Sequence, residues 1–258
     1  MRVIFFGMEC RFSRPTLTAL LTGGIDVRAV VVPRPPSVGV GASDAPIRRL
    51  APPRPARGLA LPTASTERGI LGLAGTADIP IFEVGRLAHE ETIAVLRGLQ
   101  PDVIVVACFP RLLPPALLDL PRHGALNVHP SLLPAYRGPQ PLFWIFHDGL
   151  EHAGVTIHLM DSGADTGDIV VQRPLALPDG VSYADAEQLC AEEGARLVVE
   201  AVRGLDKGTL ARRPQPATGI SYAPAPRVED FVVAPDWSAR RAFNFMRGMG
   251  RMCATFSR

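Results

Sequence analysis

Three side chains whose types suit acyl-transfer chemistry lie within one stretch of the chain. Asn127 and His129 alternate along a short apolar run, and Asp165 follows 38 residues after Asn127 in a turn rich in glycine and aspartate. An amide N–H can donate to an oxyanion, an imidazole can move a proton, and a carboxylate can orient the imidazole and favour its charged form. The combination indicates acyl transfer. The competing interpretation is ordinary structure, because such a histidine is often a hydrogen-bonded core residue and Gly/Asp runs are often plain turns.

The strand that carries Asn127 and His129 is predicted over Ala125–His129. Its period of two places both polar side chains on one face of a sheet, with a leucine and a valine on the other. Pro130 ends the strand, and four prolines stiffen the loop over residues 130–141. Open α/β sheets bind ligands at the carboxyl ends of their strands. We therefore expect a functional site where this strand ends.

The amino-terminal residues predict a strand, a helix and a second strand. Arg2–Gly7 and Val27–Val32 are rich in β-branched and aromatic residues, and Asp102–Cys108 is the nearly continuous apolar run typical of the centre of a parallel sheet. Between the first two runs, Ser13 is a suitable N-cap for a helix with Pro15 in its first turn. This order predicts an α/β fold of the Rossmann-like type, with a doubly wound, mainly parallel sheet.

Further periodic segments complete the predicted sheet and its helices. Gly154–Leu159 and Ile169–Arg173 predict a hairpin-like pair of strands at one edge. The other predicted elements are a strand at Ile79–Glu83 and helices at Leu87–Gly98, Pro114–Leu118, Gly138–Gly149, Tyr183–Arg203 and Ser238–Met249. From Pro33 to Pro62, eight prolines interrupt a stretch with no apolar period. That composition predicts a long, mobile surface loop or insertion.

Length and composition bound the class of protein. The chain has 258 residues, of which 47% are hydrophobic and 20% are charged, which fits a folded globular protein and excludes general disorder. No apolar run approaches the ~18–20 residues of a membrane helix, and the short apolar start is a first strand rather than a signal peptide. The net charge is only +2 without a basic stripe, so charge by itself predicts no nucleic-acid partner. We expect a cytoplasmic protein.

The cysteines indicate a protein that folds without disulfides. The four residues are far apart and form no CxxC pair: Cys10, Cys108, Cys190 and Cys253. This spacing argues against both a disulfide framework and a zinc knot. The sequence therefore predicts reduced, mostly buried thiols.

Three blocks of sequence, in the same order, resemble the formyltransferase family, which includes methionyl-tRNA formyltransferase and glycinamide ribonucleotide formyltransferase. The first block, similar to the family's folate-binding loop, is Phe109-Pro110-Arg111-Leu112-Leu113-Pro114. The second is Asn127-x-His129-Pro130-Ser131-Leu132-Leu133-Pro134, and the third is Met160-Asp161-x-Gly163-x-Asp165-Thr166-Gly167. The interval from Asn127 to Asp165 also matches the family. The resemblance covers residues 1–228 and is centred on residues 103–168.

The resemblance implies a Rossmann-like catalytic domain that moves a formyl group from 10-formyltetrahydrofolate to a primary amine without a metal. It implies Asn127, His129 and Asp165 as the catalytic residues, with Asn127 and protonated His129 donating to the oxyanion and Asp165 holding His129. The residues implied in the folate site are Phe109, Arg111, Leu112, Leu113, Asp161 and Ala164. Those implied on the acceptor side are Met8, Ser131 and Gln140.

Two departures from the tRNA-modifying members leave the acceptor open between methionyl-tRNA and a small amine such as an amino sugar or an amino acid. Those enzymes usually carry Arg-Gly-Ala-Ala-Pro where this chain has Arg137-Gly138-Pro139-Gln140-Pro141, which is closer to relatives that formylate small amines. They also add a C-terminal β-barrel domain of the OB type, whereas only about thirty residues follow Val228. We predict a catalytic domain over residues 1–205 and a C-terminal extension over residues 206–258 without room for a barrel. Whether a barrel domain has been removed stays open.

Two other classes of function remain open from the residues alone. A metal-dependent hydrolase would use His129, His158, Asp161 and Asp165. A non-catalytic folate-binding module would keep the fold without turnover, although the complete set of Asn, His and Asp argues against it. Metal content and formyl-transfer activity would distinguish the three interpretations.

Overall fold

One mainly parallel sheet carries the candidate residues. The computed structural model describes residues 1–35, 45–51 and 69–253. Its strands are β1 (Arg2–Gly7), β2 (Asp26–Pro33), β3 (Ile47–Leu50), β4 (Ile81–Val84), β5 (Val103–Ala107), β6 (Ala125–His129), β7 (Gly154–Leu159) and β8 (Ile169–Pro174). Across the eight-stranded sheet their order is β3-β4-β2-β1-β5-β6-β7-β8. The five strands from β4 to β6 in this order are parallel, and β3, β7 and β8 are antiparallel to their neighbours. The predicted α/β, doubly wound architecture is confirmed.

Six of the seven α-helices in the described ranges follow the predicted order, with shifted ends, and the helix at Ile70–Thr76 is not predicted from the sequence. The seven helices are α1 (Ser13–Thr22), α2 (Ile70–Thr76), α3 (Glu90–Gly98), α4 (Pro115–Leu118), α5 (Pro141–His147), α6 (Tyr183–Lys207) and α7 (Ala239–Cys253), with a 3-10 turn at Val228–Phe231. α3 begins later than predicted because the His89 side chain accepts a hydrogen bond from the Glu91 N–H and caps the helix. α6 continues past Gly204 and ends where Gly208 adopts the left-handed conformation. No helix in these ranges is long and apolar enough to span a membrane.

The two faces of the sheet differ in their helical cover. One apolar layer, which includes Val3 and Phe5 of β1, packs against α1 and α6. The other layer, which includes Ile4 and Phe6, packs against α3 and α4. This second layer reaches β6 only at Ala125, and its described members include no residue of β7 or β8. On this face, polar side chains therefore occupy the carboxyl half of β6.

Ser13 has a different role from the predicted helix N-cap. Phe12 is the residue before the helix and makes no side-chain cap, and Ser13 is the first helical residue. The buried Ser13 hydroxyl donates to the Ala107 carbonyl at 2.7 Å and accepts from the Met8 N–H at 3.2 Å. It joins the loop after β1 to the end of β5, where the winding direction of the sheet changes. The N-cap prediction is wrong because the hydroxyl has partners outside its own helix.

The predicted loop from Pro33 to Pro62 is wrong for its middle part. Residues 36–44 and 52–62 lie outside the described residues. Between them, β3 pairs antiparallel with β4, and the Ile47 side chain is buried. The only apolar residues of β3, Ile47 and Leu50, are too few to give a visible period, which explains why the sequence pattern does not predict this edge strand.

The cysteines depart from the expected burial. Cys190 is buried and Cys10 is half-buried, but Cys108 is exposed, and all three are free thiols. Cys108 directly follows β5 and has a φ of 57°. The left-handed conformation turns the chain sharply at the end of the strand and leaves this residue at the surface.

Residues on both sides of the predicted domain boundary share one core. The boundary between residues 205 and 206 falls inside α6. Farther along, α7 contributes Phe245 and Met249 to the same apolar layer as α1 and α6. The irregular segment between α6 and α7 makes isolated pairings with the rest of the chain, at Ile169–Arg213 and Arg137–Tyr222. Phe245, Met249 and the segment before α7 thus pack directly on the part that holds the candidate site.

Candidate active site

β6 and β7 bring polar side chains together on the open part of the sheet. In their antiparallel register, Asn127 lies opposite His158 and His129 lies opposite Thr156. Side chains alternate along strands, so these four share one face, as the sequence pattern predicts for Asn127 and His129. His129 is 3% exposed and His158 is 1% exposed. Both imidazoles therefore depend on protein groups for their hydrogen bonds.

Asn127 is held by two side chains. Its Nδ2 donates to Asp165 Oδ1 at 3.1 Å and lies 3.2 Å from His158 Nε2. His158 Nδ1 lies 2.8 Å from the Leu159 carbonyl oxygen, which can only accept, so Nδ1 carries a hydrogen. His158 Nε2 lies between Asn127 and Asp165 Oδ1, at 3.4 Å from the latter, so the Asn127 amide is engaged within the cluster.

His129 is fixed from both sides of its ring. Nε2 lies 2.9 Å from the Tyr136 carbonyl oxygen and donates to it, and Nδ1 lies 3.6 Å from Asp165 Oδ2. Burial lowers the pKa of His129, and the nearby Asp165 carboxylate raises it without outweighing burial. The pKa therefore lies below its ordinary value. Burial thus favours the neutral ring over the protonated form that the resemblance implies.

Asp165 is the centre of the cluster. Burial would raise its pKa, but His129, His158 and a 2.8 Å hydrogen bond from the Gly138 N–H outweigh burial and hold the pKa well below the usual range. The residue has a φ of 56°, which is uncommon for a residue other than glycine. Its side chain is 16% exposed. Asp165 is therefore an ionised carboxylate that is accessible from outside the cluster.

Ser131 does not face an acceptor site, which corrects its assignment to substrate binding. The residue is fully buried, and its hydroxyl donates to the Ala135 carbonyl at 2.7 Å. Its own carbonyl accepts from the Thr156 hydroxyl at 2.7 Å, and that hydroxyl also accepts from the Leu133 N–H. Ser131 instead shapes the loop that presents the Tyr136 carbonyl to His129.

The other two residues implied on the acceptor side keep some accessible surface. Met8 is half-buried in the loop after β1, where its N–H donates to Ser13. Gln140 is exposed just before α5, and its N–H donates to the Ala223 carbonyl at 3.0 Å. Gln140 lies two residues from Gly138, whose N–H contacts Asp165.

The segment implied in folate binding combines apolar surface with unpaired backbone groups. Leu113 is buried, and Phe109 and Met160 pack in the same apolar layer. Leu112 is 61% exposed. The Arg111 guanidinium donates to the carbonyls at the end of β4, Val84 at 2.6 Å and Gly85 at 2.8 Å. The backbone N–H and C=O groups of residues 111–113 make no hydrogen bond with another described residue.

The third block forms a closed turn. Asp161 Oδ1 accepts from the Gly163 N–H at 3.0 Å and from the Thr166 hydroxyl at 2.6 Å. Ala164 lies half-buried within this turn. Because the Asp161 carboxylate closes its own turn, the four residues of the hydrolase interpretation do not converge. Across the described ranges, no group of three or more His, Cys, Asp and Glu side chains is arranged to hold a metal ion.

Two contacts of the cluster are not predicted from the sequence. His158 is predicted only as a metal ligand of the hydrolase alternative, although the alternation of Thr156 and His158 along β7 signals a polar face. Gln215 donates to the Asp165 carbonyl at 2.8 Å from a segment that the prediction places outside the catalytic domain. Nothing in the local pattern around Gln215 signals that contact.

Comparison with known proteins identifies the family. The chain matches the family described as "Formyl transferase" over residues 1–202. It is 35% identical over 250 residues to a methionyl-tRNA formyltransferase of Pelotomaculum thermopropionicum, covering 96% of this chain and 72% of that protein. It is 38% identical to a methionyl-tRNA formyltransferase of a Synechococcus species, covering 99% of this chain and 73% of that protein.

A solved structure supports the fold. The chain resembles a 4-N formyltransferase from Francisella tularensis with a TM-score of 0.64 and 18% identity, covering 96% of this chain and 87% of that one. The match over residues 1–202 includes all three blocks that carry the resemblance and the whole Asn127, His129 and Asp165 cluster. The resemblance inferred from the sequence is confirmed. The chain belongs to the formyltransferase family and is a formyl-transferring enzyme whose formyl donor is 10-formyltetrahydrofolate.

Proposed function

We propose that this enzyme formylates the amino group of methionyl-tRNA and that Asn127, His129 and Asp165 are its catalytic residues. The two relatives at 35% and 38% identity, both methionyl-tRNA formyltransferases, support the acceptor. The cluster itself supports the residues: Asn127 contacts Asp165 at 3.1 Å, and Asp165 lies 3.6 Å from His129. This cluster at the carboxyl end of β6 is the main observation that supports the proposal.

Asn127 is the proposed oxyanion donor. When the acceptor amine attacks the formyl carbon, the formyl oxygen gains negative charge and needs a hydrogen-bond donor. Asn127 holds two hydrogens on Nδ2, directed at Asp165 and His158, and must exchange one of these bonds for the oxyanion. Catalytic hydrogen bonds often form fully only in the reacting complex. One such donor is worth about 3–4 kcal/mol in the transition state.

His129 and Asp165 are the proposed route for the proton. The amine nitrogen loses a proton as its bond to the formyl carbon forms, and N10 of the folate gains one as its bond to that carbon breaks. Neutral His129 has its Nδ1 lone pair free of a hydrogen, on the side that faces Asp165. Since the ring is buried and Asp165 is partly exposed, a water bound by Asp165 carries the proton between the reacting atoms and His129. The Asp165 carboxylate stabilises the transient imidazolium.

Residues 109–113 and the turn over residues 161–164 are the proposed pterin site. A pterin is a flat ring with donors and acceptors along one edge. The unpaired backbone groups of residues 111–113 suit that edge, and Leu112 and Phe109 supply apolar surface beside it. The Arg111 side chain acts indirectly, because its two hydrogen bonds to the end of β4 anchor the loop.

A small primary amine is the second candidate acceptor. The specific observation that favours it is Arg137-Gly138-Pro139-Gln140-Pro141, in which Pro139 and Gln140 replace the two alanines usual in the tRNA-modifying enzymes. Gln140 is exposed near the Gly138 N–H that contacts Asp165, and its carboxamide suits a small polar acceptor.

A direct comparison of acceptors tests the proposal. The purified protein is incubated with 10-formyltetrahydrofolate and methionyl-tRNA, a nucleotide-linked amino sugar or a free amino acid, and each product is examined for the mass gain of one formyl group. We expect the highest kcat/KM for methionyl-tRNA. Formylation of a small amine alone would overturn the acceptor assignment. Full activity in a folded Asn127→Ala variant would overturn the residue assignment.

A further inference from the structure

Residues 213–224, which we call the crossing segment, run along the loop that presents the candidate active site. Ser221 N–H donates to the Pro134 carbonyl, Ala223 N–H donates to the Arg137 carbonyl, and the Ala223 carbonyl accepts from the Gln140 N–H at 3.0 Å. The Pro224 carbonyl accepts from the Trp144 indole at 2.9 Å. The crossing segment lies beyond residue 202, where the family match ends.

Gln215 in the crossing segment holds the Asp165 turn. Its Nε2 donates to the carbonyls of Asp165 and Gly167, each at 2.8 Å. Its Oε1 accepts from Arg137 Nε at 3.1 Å and Nη2 at 2.7 Å. Both hydrogens and the oxygen of the carboxamide are used, so this one side chain ties Asp165 to the loop on the other side of the cluster.

Ser221 holds the Tyr136 peptide in the same way. Its hydroxyl accepts from the Tyr136 N–H at 2.8 Å, and its carbonyl accepts from the Arg137 N–H at 2.9 Å. The carbonyl of Tyr136 is the group that accepts from His129 Nε2. Fixing the two N–H groups on either side of this carbonyl fixes the direction in which it points.

Both anchored residues have conformations that need external support. Tyr136 has a φ of 59° and Asp165 has a φ of 56°. Such values cost energy for residues other than glycine and persist where surrounding contacts over-determine them. Gln215 and Ser221 supply those contacts from a part of the chain remote in sequence.

We infer that Gln215 and Ser221 are positioning residues for formyl transfer, which fix the Asp165 carboxylate and the Tyr136 carbonyl on the two nitrogens of His129. The inference rests on the proposed catalytic role of His129. Part of the active site is then formed by the crossing segment. The contacts of the two side chains are with Arg137 and with backbone groups of Tyr136, Asp165 and Gly167, so both act through the geometry of His129.

The test uses two variants at each position, in the full chain. Gln215→Leu keeps the volume without hydrogen bonds, and Gln215→Glu keeps the acceptor for Arg137 but loses the donor to the Asp165 turn. Ser221→Ala removes the hydroxyl, and Ser221→Thr restores it. We expect kcat to fall about tenfold to a hundredfold in the first three variants, because small misplacements of catalytic groups have effects of that size. KM for the formyl donor should stay near its original value, and Ser221→Thr should recover most of the activity.

A spectroscopic measurement separates this inference from the proposed function. The imidazole ¹⁵N signals of His129, assigned with a His129→Gln variant, report which nitrogen carries the hydrogen. We expect a neutral ring protonated at Nε2 in the original protein and a changed tautomer ratio in Gln215→Leu and Ser221→Ala. This readout needs no turnover, so it supports or contradicts the positioning role even if the original enzyme formylates none of the tested acceptors, which would contradict only the proposed function.

Matched controls come from the same residue type for Gln215 and from another hydroxyl-bearing residue for Ser221. Gln188 on α6 donates to Glu192 on the opposite face of the sheet, and Thr218 is an exposed residue of the crossing segment. Gln188→Leu and Thr218→Ala should leave kcat and the His129 signals unchanged. Unchanged kcat and unchanged His129 signals in folded Gln215→Leu and Ser221→Ala would overturn the inference. A loss of activity shared by Thr218→Ala would also overturn it, since it would indicate a general effect on the segment.

Discussion

At the scale of single residues, the arrangement of the cluster follows from which groups can donate hydrogen bonds and which can only accept them. Asn127 supplies two hydrogens and Gly138 supplies one, while Asp165 can only accept. His129 Nε2 and His158 Nδ1 each donate a hydrogen to a backbone carbonyl. The Asp165 carboxylate receives hydrogen bonds from Asn127 and Gly138, and it stays ionised although it is largely buried. This ionised carboxylate beside His129 forms a site that can accept a proton without first losing one.

The Asn127→Ala variant tests the oxyanion donor. The change removes two hydrogen bonds but no charge, so the folded structure and binding of a folate analogue should survive. We expect kcat to fall about a hundredfold to a thousandfold, the usual result of removing one such donor. Rapid-quench measurement of formyl transfer, with a thermal melt on the same sample, checks both parts. A parallel loss of stability and activity would instead indicate that Asn127 has only a structural role.

The Asp165→Asn variant tests the electrostatics of His129. The carboxylate raises the pKa of His129 against the effect of burial, so its removal should lower that pKa further. A base works above its pKa, and the acid limb of kcat/KM should therefore move to lower pH while kcat itself falls. An NMR titration of His129 measures the shift directly. Asp179→Asn, at an exposed carboxylate paired with Arg240, is the control and should change neither the His129 pKa nor kcat. A raised His129 pKa in Asp165→Asn would contradict the electrostatic role of Asp165.

At the scale of elements, Gly138 joins the loop after β6 to both the Asp165 turn and the crossing segment. Its φ is 114°, and a Cβ at this position would lie 3.0 Å from the Ala223 carbonyl oxygen. We expect Gly138→Ala to displace the Gly138 N–H from Asp165 and to lower kcat at least tenfold, with a cost in stability of about 1–2 kcal/mol from the backbone conformation.

Gly24→Ala is the matched control for this change. Gly24 also has a positive φ, 69°, but nothing lies within 4 Å of the position that its Cβ would occupy. The control should therefore lose stability without losing activity. Steady-state kinetics and thermal melts on both variants make the comparison. Equal losses of activity in the two variants would indicate that backbone strain alone, and not the contact with Asp165, explains the effect.

Elements with strong local patterns are predictable from the sequence, and contacts made by irregular segments are not. β6 matches its predicted bounds because apolar and polar residues alternate and Pro130 follows. Asn127 and Asp165 meet as the three blocks of the family imply. β3 has too few apolar residues to be predicted from a periodic pattern in the sequence. Gln215 reaches Asp165 across 50 residues of sequence, and only the folded chain brings the two together.

At the scale of the whole molecule, the site lies where the apolar layer under α3 and α4 ends. That layer covers β1 to β6 but includes no described residue of β7 or β8. The polar cluster occupies the uncovered strands, and the loop after β6, the Asp165 turn and the crossing segment enclose it with backbone. Most of the site is thus held by loops that hydrogen-bond to each other, on a rigid sheet that fixes only Asn127, His129 and His158.

The proposed pterin site makes binding of a folate analogue a test on the whole molecule. A ligand that binds only the folded state stabilises it, by about 2.7 kcal/mol at a concentration of one hundred times Kd. We expect 5-formyltetrahydrofolate, a stable analogue, to raise the Tm by several degrees, since about 1 kcal/mol corresponds to roughly 2–4 °C for a chain near this size.

Leu112→Gln should reduce this Tm shift, because it replaces exposed apolar surface beside the free backbone groups of residues 111–113. Leu189→Gln, at an exposed leucine of α6 on the opposite face of the sheet, should leave it unchanged. A Tm that does not move with millimolar analogue in the original protein would contradict the folate site, and equal shifts in the two leucine variants would place it elsewhere on the surface.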